Sequence, residues 1–214
     1  MSIKVILSDL SEVYFSGIFG VDRLIGKYTN ITSEEFRTRL WSDKVNTAFR
    51  NAMRNKITKK QFIETLLDGS GWDVTVEQMD DIMSENLGVP VVGSLDIVRR
   101  LKGEYRLVLL SDYVPEWEEY IRAATDIAEV FDEIYFSHDI GMLKTDPGTF
   151  EYILKCLEVE PDEVLFIDDL KTNIEVAHDS GIKNTIRFKN AEQLFNELRD
   201  KFGIVSRPQS ETVT

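Results

Sequence analysis

IKVILSDLSEVYF, residues 3–15, is the stretch whose reading decides the fold. From Ile3 to Leu7 it is apolar apart from Lys4, as a strand covered on both faces of a parallel sheet requires. It runs out at Asp9, which sets a carboxylate at the strand's C-terminal edge, where ligands bind in open α/β sheets. Alone this is a weak signal, because an Asp after a strand commonly caps the following helix. Its weight depends on residues more than a hundred positions downstream.

Outward from this stretch the chain changes grammar twice. Between about residues 16 and 88 no strand is evident. Thr32, Ser33 and Glu35 read as a helix start, followed by Phe36, Leu40, Val45 and Phe49 at near-helical spacing. Thr58 opens another helix with Phe62, Ile63, Leu66 and Leu67 on one face, ended by Gly69 and Gly71. A further helix covers Val76 to Leu87, with Met79, Ile82 and Met83 inward. The segment predicts an inserted bundle of roughly four helices packed on its own apolar seam. Its basic residues Arg37, Arg39, Arg50, Arg54 and Lys56 read as solvated helix faces.

From Pro90 onward helix and strand alternate. Helices are expected over Gly93–Lys102, from Pro115, over Pro147–Leu157, Asn173–Ser180 and Ala191–Lys201. Strands are expected over Arg106–Leu110, Glu133–Phe136, Val164–Ile167 and Asn184–Phe188. Repeated strand–helix units of this length imply right-handed crossovers and a doubly wound, Rossmann-like parallel sheet with helices on both faces. The expected division is an α/β core over 1–15 and 89–205, a helical cap over 16–88, and a disordered tail over 206–214.

Composition narrows the function. With 214 residues, 43% hydrophobic and 29% charged, the chain has room for one core domain carrying a smaller insertion. A formal charge of −13 argues against a nucleic-acid partner. An anionic substrate would need a local cation to offset that field. The single cysteine, Cys156, excludes an intramolecular disulfide and fits a reducing compartment. Its neighbours Ile153, Leu154 and Leu157 assign it to the core. No signal peptide or apolar run of membrane length is read, so a cytoplasmic location without membrane contact is expected. His138 reads as a loop surface residue and His178 as a mid-helix residue facing away from the motifs; together they make no zinc site. No Gly-rich nucleotide-binding loop is present.

Four strand ends or adjoining loops carry polar groups: Asp9, Ser111-Asp112, Lys144 and Asp168-Asp169. Parallel strands point the same way, so these groups converge on one sheet edge. In that order, and with the local spellings GMLKTDPGTF (141–150) and VLFIDDLKTNIEVAHDSGI (164–182), the chain resembles the haloacid dehalogenase-like hydrolases, in the branch with a helical cap after the first motif. The resemblance runs from Ile3 to about Lys201. It implies that Asp9 is a nucleophile and that Mg²⁺ is held by Asp9, the backbone carbonyl of Ser11 and Asp169, with Asp168 alongside or acting through water. Ser111, Asp112 and Lys144 would bind the substrate, Ser111 by a hydrogen bond to a phosphoryl oxygen and Lys144 as a fixed cation. Asn173 could orient the loop or reach the metal shell. The implied reaction is Mg²⁺-dependent hydrolysis of a small phosphorylated molecule.

One position departs from the pattern. Phosphatases of this family usually carry a second Asp two residues after the nucleophile, as leaving-group acid; here that residue is Ser11, followed by Glu12. Positioned acid–base catalysis is typically worth about 10²–10⁴-fold, and a serine hydroxyl cannot supply it. Three consequences stay open. The enzyme is slow or uses a substrate with a good leaving group; Glu12 supplies the carboxylate from one residue off register; or catalysis is lost and the chain acts by binding. A metal-free dehalogenase fits less well, since the acid pair at 168–169 is retained.

Overall fold

The computed structural model describes residues 2–204, so the expected tail at 206–214 lies outside the described residues. Five parallel strands make one sheet: β1 (Val5–Ser8), β2 (Arg106–Ser111), β3 (Glu133–Phe136), β4 (Val164–Asp168) and β5 (Asn184–Arg187), in the order β3-β2-β1-β4-β5. The first strand in the chain is therefore the central one. Ile6 sits opposite Leu107 on one side and Leu165 on the other. The reversal of strand order beside β1 opens the crevice that α/β sheets use for ligands.

Alternation along the strands divides the apolar residues between two faces. Val5, Leu7, Val108, Leu110, Val164 and Phe166 face two helices, α10 (Thr149–Leu157) and α11 (Lys171–Asp179), through Phe150, Ile153, Leu154, Leu157, Ile174 and Ala177. Ile6, Leu107, Leu109, Leu165 and Ile167 face the other way. There they meet α6 (Ser94–Arg99), α7 (Pro115–Ala124) and α12 (Ala191–Phe202). The expected doubly wound sheet is what the chain forms, with strand ends displaced by at most two residues and the helix expected to reach Lys102 ending at Arg99. Cys156 is exposed rather than in the core. On α10 the inward positions are taken by Ile153, Leu154 and Leu157, and residue 156 falls on the outer side of the same turn.

Between residues 16 and 88 the described structure is helical: a 3₁₀ turn at Ile18–Gly20, then α1 (Val21–Tyr28), α2 (Ser33–Leu40), α3 (Asp43–Ala52), α4 (Lys59–Leu67) and α5 (Val76–Asn86). That is one helix more than the sequence pattern suggested. Helix α1 carries buried Val21 and Ile25 but also a buried Asp22, paired with Arg37, which blurs its apolar stripe. Capping boxes start α2, α4 and α5: Thr32, Thr58 and Thr75 each accept the backbone N–H three residues on, and Glu35, Gln61 and Gln78 reach back. The apolar seam of these helices is not separate from the sheet. Phe49 and Phe62 pack on Trp117 of α7 at 6.2 and 6.3 Å between ring centroids, and all belong to the cluster that covers the Ile6 face.

The helical segment enters and leaves through two neighbouring strips of chain. Ser16 N–H donates to Val89 and Val91 N–H to Tyr14, at 2.8 and 2.9 Å. Buried Asn86, at the end of α5, donates its side-chain amide to the carbonyl of Gly17. Gly17 cannot be replaced freely, since a Cβ there would lie 2.8 Å from Cβ of Ser11. Among the described residues no helix is long and apolar enough to cross a membrane. The Gly17 carbonyl also accepts the Gly20 N–H at 3.0 Å, so Asn86→Ala removes one of two hydrogen bonds and should lower stability by about 0.5–1.5 kcal/mol in urea denaturation; an unchanged midpoint would mean that this junction contributes nothing to stability.

Candidate active site

Three parallel strands end within reach of one ammonium group. Lys144, 2% exposed, places its Nζ 2.8 Å from Oδ1 of Asp9, at the end of β1, and 2.7 Å from Oδ2 of Asp168, the last residue of β4. Its backbone N–H donates at 3.0 Å to Oδ1 of Asp112, which follows β2. Burial alone would lower the pKa of this ammonium; the carboxylates of Asp168, Asp9 and Asp112 outweigh it and push it above its ordinary value. Lys144 is thus a permanently charged, fixed cation, not a solvated loop residue.

Asp9 is held asymmetrically. Its Oδ1 takes three donors: the Leu10 N–H at 2.7 Å, the Ser111 hydroxyl at 2.9 Å and Lys144. Its Oδ2 takes none among the described residues. One oxygen is anchored and the other left for chemistry. Ser111 is fully buried beneath Asp9, so its hydroxyl orients the carboxylate from behind. Asp168 is fully buried too. Oδ1 accepts from the Leu170 N–H at 2.8 Å and the Asn173 amide at 3.0 Å, while Oδ2 accepts from Lys144. Asn173 therefore orients the carboxylate of Asp168.

Carboxylate oxygens of Asp9, Asp168 and Asp169 lie within 4.8 Å of one another. Burial, together with the charges of Asp9 and Asp168, pushes the Asp169 carboxyl up to about 7. Burial likewise raises Asp168, against the pull of Lys144. One ammonium does not balance this group of acids, and a hard divalent cation on Asp9 and Asp169 would. The residues present fit such an ion.

A cavity of about 400 Å³ opens over Asp9, with Ser11, Asp112, Lys144 and Asp169 at its floor and residues of the helical segment at its roof. Glu12 is turned away from this cavity, in left-handed backbone (φ 58°), with its carboxylate accepting the Gly17 N–H at 3.0 Å and facing Arg23 at 3.4 Å. The Glu12 alternative for the missing acid is thereby disfavoured by geometry.

Several expectations for single residues are corrected here. Arg50 on α3 and Arg54, in the turn just past its end, are not simply solvated. Arg54 holds Asp146 through Nε at 2.9 Å and a second guanidinium nitrogen, and Arg50 donates to the Thr145 hydroxyl at 2.9 Å. Asp146 also accepts the Leu143 N–H at 2.9 Å, so both arginines brace the loop that carries Lys144. Arg37 remains largely exposed as expected while pairing with Asp22, whereas Arg39 donates to the last carbonyls of α4, where its charge suits the helix end. His138 is buried in a short helix, α9 (Ser137–Ile140), with Nε2 2.7 Å from Glu118. The run Ser137–Ile140 was too short to read as a helix. His178 does face away from the site, bonding Thr185 at 2.9 Å.

A sequence model described as haloacid dehalogenase-like hydrolase matches residues 18–187. The chain belongs to this family. It is 24% identical over 183 residues to a D-ribitol-5-phosphate phosphatase of Bacteroides thetaiotaomicron, covering 83% of this chain and 88% of that protein. Among solved structures it resembles a haloacid dehalogenase family enzyme of the same organism, crystallised with magnesium and inorganic phosphate (TM-score 0.66, 24% identity, 88% of this chain and 96% of that one). It also resembles the L-2-haloacid dehalogenase of Xanthobacter autotrophicus with chloropropionic acid covalently bound (TM-score 0.67, 18% identity, 96% of this chain and 85% of that one). Like those family members, the chain builds a five-stranded parallel sheet; the family match begins beyond Asp9 and Ser11.

Removing the ammonium would leave two buried carboxylates facing each other. Lys144→Met is expected to cost about 3–5 kcal/mol in metal-free urea denaturation; a loss below about 1 kcal/mol would mean that solvent already screens the pair. Asp112 gives a pH test. Burial pushes its carboxyl up to about 6, so its contribution favours the fold below its unfolded value near 3.8 and is lost as pH rises through 6. Asp112→Asn, which can still accept the Lys144 N–H, should raise the melting temperature relative to wild type at pH 8 and raise it by much less at pH 4.5, where most of the contribution is still present. An equal effect at both pH values would contradict this.

Proposed function

We infer that this hydrolase-family protein is a Mg²⁺-dependent phosphatase of small phosphorylated molecules, working through Asp9. The observation that carries the reading is the split carboxylate of Asp9, with Oδ1 fixed by three donors and Oδ2 open beside Asp169 on the cavity floor. Asp9, Asp169 and the carbonyl of Ser11 would hold the ion, with Asp168 behind them. When bound, Mg²⁺ supplies positive charge to a phosphoryl oxygen and offsets the repulsion between phosphate and carboxylate. Asp9 Oδ2 would attack phosphorus and form an aspartyl phosphate, which water then hydrolyses. Lys144 stabilises charge on the phosphoryl oxygens in both steps without changing its own protonation. Support from outside the chain comes from the similar ribitol-phosphate phosphatase and from the similar enzyme crystallised with magnesium and phosphate.

We also assign residues 16–88 as a cap on the core formed by 1–15 and 89–204. Phe19, Trp41, Asn46, Phe49, Arg50 and Met53 of that segment roof the cavity, where they would exclude water and select the substrate. A second reading, a weak or inactive relative acting by binding, is favoured by one observation: Ser11 stands where the usual acid would be and Glu12 is engaged elsewhere.

Phosphate release from acetyl phosphate separates the two, because this leaving group departs without an acid. Turnover should require Mg²⁺ and fall by about 10³-fold or more in Asp9→Asn, as when a nucleophile is removed. Mg²⁺ binding by calorimetry with no turnover would favour the binding protein.

A further inference from the structure

The cavity over Asp9 combines two features. Its roof is flat and apolar: Phe19 and Trp41 stack at 5.4 Å and 21°, and Phe49, Met53 and Trp117 continue the surface inward. Trp41 keeps 46% of its surface exposed at this mouth. The polar groups on that side are Asn46, Arg50 and Thr145, and the last two are hydrogen-bonded to each other. On the floor, meanwhile, position 11 carries a hydroxyl where the usual leaving-group acid would stand. Ser11 has no acid, Glu12 holds Gly17, and Asp112 accepts the Lys144 N–H.

We propose that the substrate is an aryl phosphate: a flat aromatic ring lies against Trp41, Phe19 and Phe49, and its oxygen leaves as the phenolate without a proton from the protein. This rests on the phosphatase reading of the same site. As Asp9 Oδ2 bonds to phosphorus, the bond from phosphorus to the aryl oxygen breaks and its electron pair stays on that oxygen, delocalised into the ring. Solvent protonates the phenolate after departure. Water then attacks phosphorus, the bond to Oδ2 breaks to restore the Asp9 carboxylate, and the proton of the water leaves to solvent with inorganic phosphate. An alkoxide leaving without an acid would be slower by about 10²–10⁴-fold. A polyol would also find few partners on this roof.

The test compares kcat/KM for phosphate release by the full chain with Mg²⁺, using acetyl phosphate, 4-nitrophenyl phosphate, phenyl phosphate and D-ribitol 5-phosphate. Without an enzymic acid, 4-nitrophenyl phosphate should exceed phenyl phosphate by about 10²-fold, and both should exceed the polyol phosphate. Trp41→Ala, at an exposed position that should not unfold the protein, should lower the ratio of 4-nitrophenyl to acetyl phosphate by about three- to tenfold. The proposal fails if the polyol phosphate is preferred or if Trp41→Ala leaves the ratio unchanged. It also fails if nitrophenyl and phenyl esters react alike, since that requires a proton donor; a difference restored by Asp112→Asn would identify that donor. Turnover of acetyl phosphate with no aryl preference overturns only the aryl proposal. No turnover of any of the four overturns the phosphatase reading with it.

Discussion

An ammonium group closed in by carboxylates is costly to bury, and its surroundings have to be built to hold it. Lys144 meets Asp9 and Asp168 at 2.8 and 2.7 Å with almost no solvent contact. Desolvating such charges costs several kcal/mol per ion unless geometry and further hydrogen bonds compensate. The compensation is visible: Leu10 N–H and Ser111 on Asp9, Leu170 N–H and Asn173 on Asp168, Asp112 on the lysine's own N–H. These groups come from the ends of β1, β2 and β4, the turns after them and the start of α11, so the ends of the three strands are fixed relative to one another around one side chain.

The helices inserted after β1 are fastened to the same point. Arg50 of α3 donates to Thr145, and Arg54 in the turn after α3 grips Asp146, which also takes the Leu143 N–H, so the residues following Lys144 are held from the inserted helices as well as from the sheet. Ser137, just ahead of that loop, donates its hydroxyl to the carbonyl of Met53. With the aromatic contacts of Phe49 and Phe62 on Trp117, the roof and the sheet share one continuous apolar cluster. The roof and the cation are therefore mechanically linked, because whatever shifts α3 also shifts the loop bearing Lys144.

What could be read in the sequence follows from which forces act locally. The central strands β1, β2 and β4 are legible because both of their faces are buried, and the convergence of Asp9, Ser111, Lys144 and Asp168-Asp169 follows from parallel direction alone. The side-chain roles of Ser111 and Asn173 do not: whether a hydroxyl points at substrate or at Asp9 is a rotamer choice set by three-dimensional neighbours. The engagement of Arg50 and Arg54 was hidden for a similar reason. Their partners, Thr145 and Asp146, lie over ninety residues away, and charge on a helix looks the same whether it meets solvent or a distant loop. His138 was misread because its partner Glu118 belongs to another helix, and Cys156 because apolar neighbours in sequence are not neighbours on a helix face.

The central place of β1 bears on the order in which the molecule can be assembled during synthesis. The first strand to leave the ribosome has no partner until Arg106 has been made, and its second edge waits for Val164. For that interval an apolar strand must be kept from other chains by the helices that follow it, which form from local contacts and need no distant partner. The chain made in that interval is mostly helical, so among the described residues it alone is on hand to cover the strand.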